Sequence, residues 1–459
     1  EILAHSKNIA EHFDLYANAC LGTQVTAVSW EDDHNRWRVK TDQGDNMTCQ
    51  FLIMSNGPLN RPKLPAIPGI LDFKGHTFHT SRWDYDYTGG SSEGGLTGLA
   101  DKRVAVIGTG ATAVQCIPHV GEAAKALYVF QRTPSSIDVR DNRATDPDWA
   151  ASLPLGWQRD RMENFNALTS GRVIEEDLVM DGWTEIIRNL ISMANYRGKN
   201  LSGEEVGRLM ELADFEKMEQ IRARVDAIVE DQSTAEALKP YYRQFCKRPC
   251  FHDTYLPTFN RSNVKLVDTE GKGVTAITAT SVIANGEEYP VDCIIFATGF
   301  EVGTGFSRRA GYDVEGKDGV LLSRKWSDGI KTLHGLHSHG FPNLLIMSNA
   351  QSAFTTNFPH AMDENARHMA YLLDTCRDRS IKQFEADLDA EQAWVQEIIG
   401  LSRFSEAFQS ECTPGYYNNE GQPNPLSKQN ASYGKGPIAF FDRMRAWREQ
   451  GELAGLNYR

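Results

Sequence analysis

The residues best suited to bind a phosphate-bearing ligand follow a short apolar run near position 105. Lys102–Ile107 has the composition of a buried parallel strand, and the six residues after it have the form G-x-G-x-x-A. In this form the first glycine permits a tight turn, the second lets the backbone approach a pyrophosphate, and the small last residue allows helix and strand to pack closely. A helix beginning here would offer free backbone N–H groups to phosphates. The candidate binding residues are Gly108, Thr109, Gly110, Ala111, Thr112 and Ala113.

A second apolar run, Ala126–Phe130, completes a strand–helix–strand unit, and the residues after it predict which dinucleotide is bound. NAD sites usually carry an acidic residue here, which holds the ribose 2′-hydroxyl. This chain has Arg132 and Thr133 instead, and a guanidinium pairs well with a 2′-phosphate. The sequence therefore predicts NADPH rather than NADH. The alternative is a purely structural unit with a solvated Arg132.

Aromatic, glycine, histidine and acidic residues recur at fixed spacing between positions 73 and 84. Phe73, Gly75, His79, Trp83 and Asp84 satisfy the pattern F-x-G-x-x-x-H-x-x-x-W-D. This pattern resembles the fingerprint of type I Baeyer–Villiger monooxygenases, which are flavoenzymes that insert one oxygen atom of O2 beside a ketone carbonyl. The resemblance implies FAD and NADPH as cofactors, with a small-molecule ketone and O2 as substrates. It also implies a conformational role for His79, which would couple this linker to the cofactor domains.

Further segments are similar to motifs of the same family. Asp292–Phe300 resembles the ATG-F/Y motif of flavoproteins with two dinucleotide sites. Lys247, Arg248 and Pro249 resemble the family segment that carries the catalytic arginine, which maps onto Arg248. A fixed guanidinium stabilises negative charge at the reacting oxygen and stays charged, whereas a lysine could titrate. Lys247 is expected to face the 2′-phosphate, although a surface Lys-Arg pair is the commoner origin of such a dipeptide.

The resemblance also places two residues from the last third of the chain near the cofactors. Asn357 and Tyr416 lie in segments that match family segments near the flavin and the nicotinamide. The related monooxygenases that oxidise nitrogen or sulfur carry a similar fingerprint, but the terminal Trp83-Asp84 pair argues against them.

The predicted strands and helices that must position these residues indicate an α/β fold. It would contain two dinucleotide-binding, Rossmann-like domains, a β-meander and a helical insertion. A helix is expected over residues 1–15, and three meander strands over Gln24–Trp30, Trp37–Thr41 and Thr48–Met54. The predicted domains are residues 1–88 as the remainder of the FAD-type domain, 98–141 with 243–325 as the NADP-binding domain, 142–242 as the helical insertion, and 326–459 as the C-terminal part of the FAD-type domain.

The resemblance covers residues 1–459, yet the family begins with an FAD-binding G-x-G-x-x-G unit and an acidic catalytic residue that do not precede Glu1 here. Three explanations stay open. In the first, the chain is part of a longer or two-chain enzyme. In the second, it is a degenerate flavin-free relative that either catalyses a non-redox step, such as cyclisation or isomerisation, or binds a ligand. In the third, it is a non-catalytic scaffold. Without its first strand–helix–strand unit, the sheet would expose an edge and an apolar face. A partner chain or an oligomer is therefore expected.

Composition and charge narrow the classes of partner. The 459 residues carry a formal charge of −13, which argues against a nucleic-acid partner. There is no run of about 18 apolar residues and no targeting segment, so we expect a cytoplasmic protein with no membrane span. Eight scattered cysteines complete no zinc pattern, which favours free thiols and no metal site.

Two competing motifs have simpler interpretations. Residues 90–94 satisfy G-x-S-x-G, the nucleophile turn of serine hydrolases, but that turn needs a preceding strand and a following helix. A Gly/Ser-rich loop is expected here instead. His334, His337 and His339 could converge on a metal ion, but they have no nearby acidic partner, and a polar loop is expected.

Overall fold

Short strands and helices alternate along most of the chain. The computed structural model describes residues 2–172, 174–186, 188–189, 203–402, 406–422 and 424–459. The strands are β1 Val25–Glu31, β2 Arg36–Thr41, β3 Asn46–Cys49, β4 Leu52–Met54, β5 His76–His79, β6 Arg103–Ile107, β7 Ala126–Gln131, β8 Ile137–Asp138, β9 Cys250–Phe251, β10 Val264–Asp268, β11 Ala276–Ile277, β12 Ser281–Ala284, β13 Glu287–Pro290, β14 Cys293–Phe296, β15 Val314–Glu315, β16 Leu344–Ile346, β17 Phe384–Ala386 and β18 Leu456–Tyr458.

The α-helices are mostly short, and the longest of those with described bounds has 26 residues. These helices are α1 Ile2–His12, α2 Tyr85–Thr88, α3 Ala111–Ala123, α4 Pro147–Ser152, α5 Trp157–Thr169, α6 Gly203–Ile228, α7 Gln232–Leu238, α8 Tyr255–Thr258, α9 Phe306–Ala310, α10 Leu322–Lys325, α11 Phe358–Asp378, α12 Leu388–Leu401, α13 Glu406–Glu411 and α14 Pro437–Gln450.

The largest sheet is entirely parallel and has cores on both faces. Its strand order is β10-β7-β6-β14-β5. Along β6, Val104 and Val106 point into one hydrophobic cluster with Ile117 of α3, whereas Ala105 and Ile107 point into a second cluster. Burial on both faces is the reason that this strand is apolar at successive positions, as parallel sheets require. The predicted strand–helix–strand unit is confirmed as β6, α3 and β7.

The fingerprint segment contributes the edge strand of this sheet. β5 pairs in parallel with β14, with Phe78 opposite Ile295 and His79 opposite Phe296. The fingerprint therefore lies against the strand that leads into the ATG-like motif. The division of the chain into four domains, which grouped these residues with the FAD-type domain, stays a prediction.

The predicted meander forms a separate sheet, but its third strand was predicted wrongly. β1, β2 and β3 pair antiparallel, and the order of this sheet is β15-β1-β2-β3. The expected single strand Thr48–Met54 is instead two strands, because β4 leaves the meander and pairs in parallel with β16. At the break, the buried side chain of Asn343 donates to the Gln50 carbonyl oxygen at 3.0 Å, and its backbone oxygen accepts from Leu52 N at 3.0 Å.

Helices dominate the remaining chain. α11, α12 and α14 pack around a cluster that contains Trp394, Phe440 and Trp447, and the β17–β18 pair lies beside it. The predicted insertion over 142–242 contains α4 to α7, with residues 173, 187 and 190–202 outside the described part of the chain.

The predicted N-terminal helix is present as α1, and its apolar side chains are exposed. Ile2 is 87% exposed and Phe13, just after the helix, is 66% exposed, and no described residue of α1 is buried. Over the residues with described structure, none of the helices combines the length and hydropathy needed to cross a membrane.

Candidate active site

The carboxyl ends of four parallel strands meet at one edge of the five-stranded sheet. Their registers place His79 opposite Phe296, Phe296 opposite Ile107, and Ile107 opposite Phe130. The residues that follow these strands therefore share one edge, where ligands of such sheets bind. The sheet thus brings the fingerprint histidine, the glycine loop and the residues after β7 to the same side.

The glycine loop has the geometry that a dinucleotide requires. Gly108 has φ +111°, and a Cβ added to it would lie 2.5 Å from the backbone oxygen of Ala297. Gly110 caps α3, and a Cβ added there would meet nothing within 4 Å, so the backbone is open to a ligand. Ala113 is fully buried between helix and sheet. Ala111 is partly buried and Thr112 is exposed at the start of the helix.

Hydrogen bonds lock this loop to the segment after β7. The buried Thr109 hydroxyl donates to the Thr133 carbonyl oxygen at 2.8 Å, and the Ser135 hydroxyl donates to the Thr109 carbonyl oxygen at 2.6 Å. Thr133 is thus a backbone partner of the loop. The two segments that would contact the pyrophosphate and the ribose of a dinucleotide are held in a fixed relation.

A cluster of charged side chains lies next to this loop. Arg132 Nη2 is 2.9 Å from Glu420 Oε2, and Lys63 Nζ is 2.8 Å from Glu420 Oε1. Lys247 interacts electrostatically with both Arg132 and Glu420, and its ammonium lies 5.6 Å from the centre of the Tyr242 ring. Burial, and then the charge of Arg132, lower the pKa of Lys247 to about 8. We call Lys63, Arg132, Lys247 and Glu420 the basic cluster.

Arg248 follows Lys247 directly and has a different environment. It is exposed, and its guanidinium makes no ion pair or hydrogen bond with any residue that the structure describes. Its carbonyl oxygen accepts from the Cys250 thiol at 3.5 Å, where β9 begins. The backbone at Arg248 is therefore anchored while the charged end is available to a ligand.

The expectation that all cysteines are free is wrong for two of them. Cys246 and Cys412 form a disulfide, and the other six cysteines are free. The two residues are 166 positions apart in the sequence, so no local spacing could have indicated the bond. The disulfide connects the residue before Lys247 to the start of the loop that ends near Glu420.

His79 is buried at the end of β5, and its hydrogen bonds define its neutral tautomer. Its Nδ1 accepts from Ser81 N at 3.2 Å and therefore carries no proton in the neutral ring. Its Nε2 is buried beside the Gly299 backbone without a well-formed hydrogen bond, and the ring packs edge-on against Phe300 at 5.7 Å. Burial lowers the pKa of His79, although the Gly299 backbone opposes this shift. His79 thus joins the fingerprint to the ATG-like turn.

The two residues predicted from the last third of the chain occupy different kinds of position. Asn357 caps α11, since its side chain accepts from His360 N at 3.3 Å. Tyr416 begins a short 3₁₀ segment, Tyr416–Gly421, and its side chain lies outside the described atoms. The segment that contains Tyr416 also carries Glu420, so it lies against the basic cluster.

A polar recess of about 460 Å³ lies beside the meander sheet. It is lined in part by Asn56, Asn60, Arg82 and Arg309. Within the described chain, Asn60 Oδ1 and Arg309 Nε are buried and have no hydrogen-bond partner. Two unpartnered buried polar atoms at one recess are a feature of a site that a polar ligand completes.

The competing motifs do not form the sites that they could have indicated. Residues 90–94 form a tight turn closed by a bridge between Ser91 and Gly94, and α2 rather than a strand precedes it. His334 and His337 are buried, with His334 against the Trp394 ring. Across the described residues, no group of three histidine, cysteine, aspartate or glutamate side chains is arranged to hold a metal ion.

Lys63 and Glu420 are the members of the site that sequence reasoning missed. Lys63 stands in a proline-rich loop and Glu420 in an asparagine- and glycine-rich loop, and neither is part of a recognisable spacing. They are 357 positions apart, so only the folded chain brings them together.

A family model and individual relatives match the chain in sequence. The family model described as flavin-binding monooxygenase-like matches residues 1–148. Neopentalenolactone D synthase of Streptomyces avermitilis is 52% identical over 461 residues, which cover 100% of this chain and 78% of the relative. A Baeyer–Villiger monooxygenase of Streptomyces coelicolor is 46% identical over 455 residues, which cover 98% of this chain and 74% of the relative.

Solved structures match the chain over its full length. A polycyclic ketone monooxygenase from the fungus Thermothelomyces thermophila aligns with a TM-score of 0.90 and 36% identity, covering 100% of this chain and 76% of the other. The OTEMO complex with FAD and NADP aligns with a TM-score of 0.75 and 27% identity, covering 100% of this chain and 84% of the other. These alignments confirm the predicted α/β fold class.

Proposed function

The chain belongs to the Baeyer–Villiger monooxygenases, and we propose that it oxidises a bulky or cyclic ketone to an ester or a lactone with NADPH, FAD and O2. One oxygen atom enters the bond between the carbonyl carbon and its neighbour, and the other leaves as water. NADPH supplies two electrons as a hydride and becomes NADP⁺, and one proton from solution completes the water molecule. The observation that carries this proposal is the 46% identity, over 98% of this chain, to a relative that is named a Baeyer–Villiger monooxygenase.

NADPH would bind along the edge formed by the strand ends. Gly108 and Gly110 would lie against the pyrophosphate, because the first glycine adopts a backbone angle that other residues avoid and the second leaves its backbone open. Thr109, Ala111, Thr112 and Ala113 complete the loop and the start of α3. Arg132, Lys247 and Thr133 would surround the 2′-phosphate, and the charged geometry of the basic cluster supports this assignment.

Arg248 is the residue to which we assign charge stabilisation at the reacting oxygen. Its backbone carbonyl oxygen is held by the Cys250 thiol, and its guanidinium is not engaged by the described residues, which leaves its donors for a ligand. Donors aimed at an oxygen that becomes negative during the reaction lower its barrier. His79 is assigned a positioning role, since it is buried against Phe300 and holds the fingerprint to the ATG-like turn.

FAD would be held at the polar recess beside the meander sheet. When bound, it supplies electron transfer from NADPH and the activation of O2. The polar recess fits such a group, since Asn60 and Arg309 present buried polar atoms that lack partners within the described chain. Asn357 and Tyr416 are proposed to lie near the flavin and the nicotinamide, respectively.

The remaining expectations concern size, partners and location. A bulky or cyclic ketone is proposed because a matched structure is named a polycyclic ketone monooxygenase. The exposed apolar side chains of α1 support a partner chain or a second copy on this surface, and light scattering with intact-mass measurement tests this. A cytoplasmic location stays a prediction. The flavin-free alternative is not favoured, because a matched relative and a matched structure are named monooxygenases.

The absorbance spectrum of the purified full chain tests the proposed function. We expect flavin bands near one flavin per chain, and bleaching of these bands when NADPH is added without oxygen. NADH at the same concentration should bleach them much more slowly. A colourless protein that does not take up added FAD would contradict the proposal.

A further inference from the structure

A single carboxylate occupies the centre of the basic cluster. Each oxygen of Glu420 has its own cation, with Lys63 Nζ at 2.8 Å from Oε1 and Arg132 Nη2 at 2.9 Å from Oε2. Burial opposes the charge on Glu420, yet Lys63 and Arg132 lower the pKa of its carboxyl below the ordinary value. An ionised carboxylate therefore lies against the arginine to which the proposed function assigns the 2′-phosphate.

The two cations are attached to the rigid edge of the sheet. Lys63 N donates to the Gly299 carbonyl oxygen at 2.9 Å, and the Lys63 carbonyl oxygen accepts from the Thr298 hydroxyl. This clamps Lys63 to the turn after β14, which itself packs against Gly108. Arg132 follows β7 directly. Both cations are thus placed by the same framework that would hold a dinucleotide.

The carboxylate belongs to a different kind of segment. Glu420 and the preceding Asn419 have φ values of +58° and +51°, a region that a glutamate rarely adopts. The Asn418 side chain accepts from the backbone N–H groups of Gly415 and Gly421 at 2.9 and 3.1 Å and so closes the loop. Since residues in such conformations cost free energy, we expect the loop, rather than the sheet edge, to rearrange.

Charge counting favours exchange of the carboxylate for a phosphate. Lys63, Arg132 and Lys247 carry three positive charges against the one negative charge of Glu420. A 2′-phosphate carries up to two negative charges and more acceptor oxygens than a carboxylate. The same cations can therefore bind the phosphate more strongly than they bind Glu420.

We propose that Glu420 fills the 2′-phosphate site between Lys63 and Arg132 until NADPH displaces it, and that Lys63 is a further cation that selects the phosphorylated dinucleotide. This inference rests on the proposed use of NADPH. Without the loop acid, Lys63 and Arg132 would lie unneutralised near Lys247 in the unliganded protein. Glu420 thus partly neutralises the site in the unliganded protein, and the enzyme discriminates by exchange of one anion for another.

Calorimetric binding of two fragments of the cofactor to the full chain tests the proposal. The probes are 2′,5′-ADP, which carries the 2′-phosphate, and 5′-AMP, which lacks it. We compare the unchanged chain with Glu420→Gln and Lys63→Met. The matched controls are Glu397→Gln, an acid paired with Arg443 outside the cluster, and Lys272→Met, a lysine paired with Glu270.

We expect Glu420→Gln to tighten 2′,5′-ADP binding roughly fivefold, because the competing carboxylate is gone. Lys63→Met should weaken it about tenfold. Neither variant should change 5′-AMP binding, and the controls should match the unchanged chain with both probes. If the unchanged chain prefers 2′,5′-ADP but Glu420→Gln binds it equally or more weakly, this inference is wrong and the NADPH assignment stands. If the unchanged chain has no preference for 2′,5′-ADP, the NADPH assignment itself fails.

Proteolysis of the unchanged chain gives a test that does not depend on folding of a variant. A glutamate-specific protease should cut after Glu420 faster when 2′,5′-ADP is present, because the displaced side chain becomes accessible, whereas 5′-AMP should have no effect. Mass spectrometry measures the rate of cleavage between Glu420 and Gly421. Equal or slower cleavage with 2′,5′-ADP would overturn the exchange.

Discussion

The two candidate cofactor regions of this chain differ in how far the chain satisfies its own polar groups. At the edge of the five-stranded sheet, the cations Lys63 and Arg132 have a partner in Glu420. At the polar recess beside the meander sheet, Asn60 Oδ1 and Arg309 Nε are buried and unpartnered within the described chain. In one region the cations share a carboxylate of the chain, and the other has groups that only a ligand or further protein atoms could satisfy.

On the proposed assignments, the two cofactors are held in different ways. The sheet edge is a complete framework whose binding of NADPH is an exchange of partners. The recess is lined by residues from distant parts of the chain, such as Asn60 and Arg309. We therefore expect substitutions at the sheet edge to change affinity and selectivity, and the following variants test how far that holds, beginning with the residue that should affect chemistry alone.

Arg248→Ala should have the largest effect. Loss of one charge-stabilising donor typically lowers a rate by about 10²–10³-fold, so ester formation should fall by roughly that factor. Binding of 2′,5′-ADP should change little, because Arg248 is not part of the basic cluster. Steady-state rates and calorimetry measure the two effects, and Arg324→Ala, another exposed arginine, is the control. A variant that loses cofactor-fragment binding as strongly as activity would assign Arg248 to the cofactor site instead.

Gly108→Ala and Gly110→Ala should separate an effect on folding stability from an effect on ligand binding. The methyl group introduced by Gly108→Ala would meet the Ala297 carbonyl oxygen at 2.5 Å at φ +111°, and we expect a destabilisation of about 1–3 kcal/mol. Gly110→Ala has open space and should change the free energy of unfolding by less than about 1 kcal/mol, yet weaken NADP⁺ binding. Urea unfolding and calorimetry make the comparison. Unchanged NADP⁺ binding by Gly110→Ala would show that the open space at Gly110 does not serve a ligand.

Arg132→Ala should reduce selectivity for the phosphorylated cofactor. We expect NADPH affinity to fall about tenfold and NADH affinity to stay within about twofold, because only NADPH has the 2′-phosphate. Fluorescence titration with each cofactor gives the ratio, and Lys272→Met controls for the loss of one positive charge. Unchanged NADPH affinity would mean that Arg132 does not contact the 2′-phosphate.

Lys247 should give the smallest effect, a pH dependence. Since burial and Arg132 lower its pKa to about 8, the lysine loses its charge as the pH rises from about 7 to about 9.5. Affinity for 2′,5′-ADP should fall several-fold over this interval, because the neutral amine no longer attracts the phosphate. Lys247→Arg keeps its charge and should give a nearly flat profile. A similar decline in that variant would locate the titrating group elsewhere.

The sequence predicts those parts of the site that are local in the chain. The strand, glycine loop and helix around Gly108 follow from a contiguous pattern, and Arg132 follows from its place after the next strand. Lys63, Glu420 and the Cys246–Cys412 disulfide could not be predicted in this way, because they depend on contacts between segments that are distant in the chain. The same reason explains the wrong third meander strand, which is broken by contact with the distant Asn343.

The origin of the oxygen in the product tests the central claim most directly. The full chain, with FAD, NADPH and a cyclic ketone under ¹⁸O₂, should yield a lactone that contains one ¹⁸O atom, measured by mass spectrometry. The label should lie in the ring rather than in the carbonyl group. Consumption of NADPH without labelled lactone, or formation of an unlabelled product, would contradict Baeyer–Villiger oxidation by this protein.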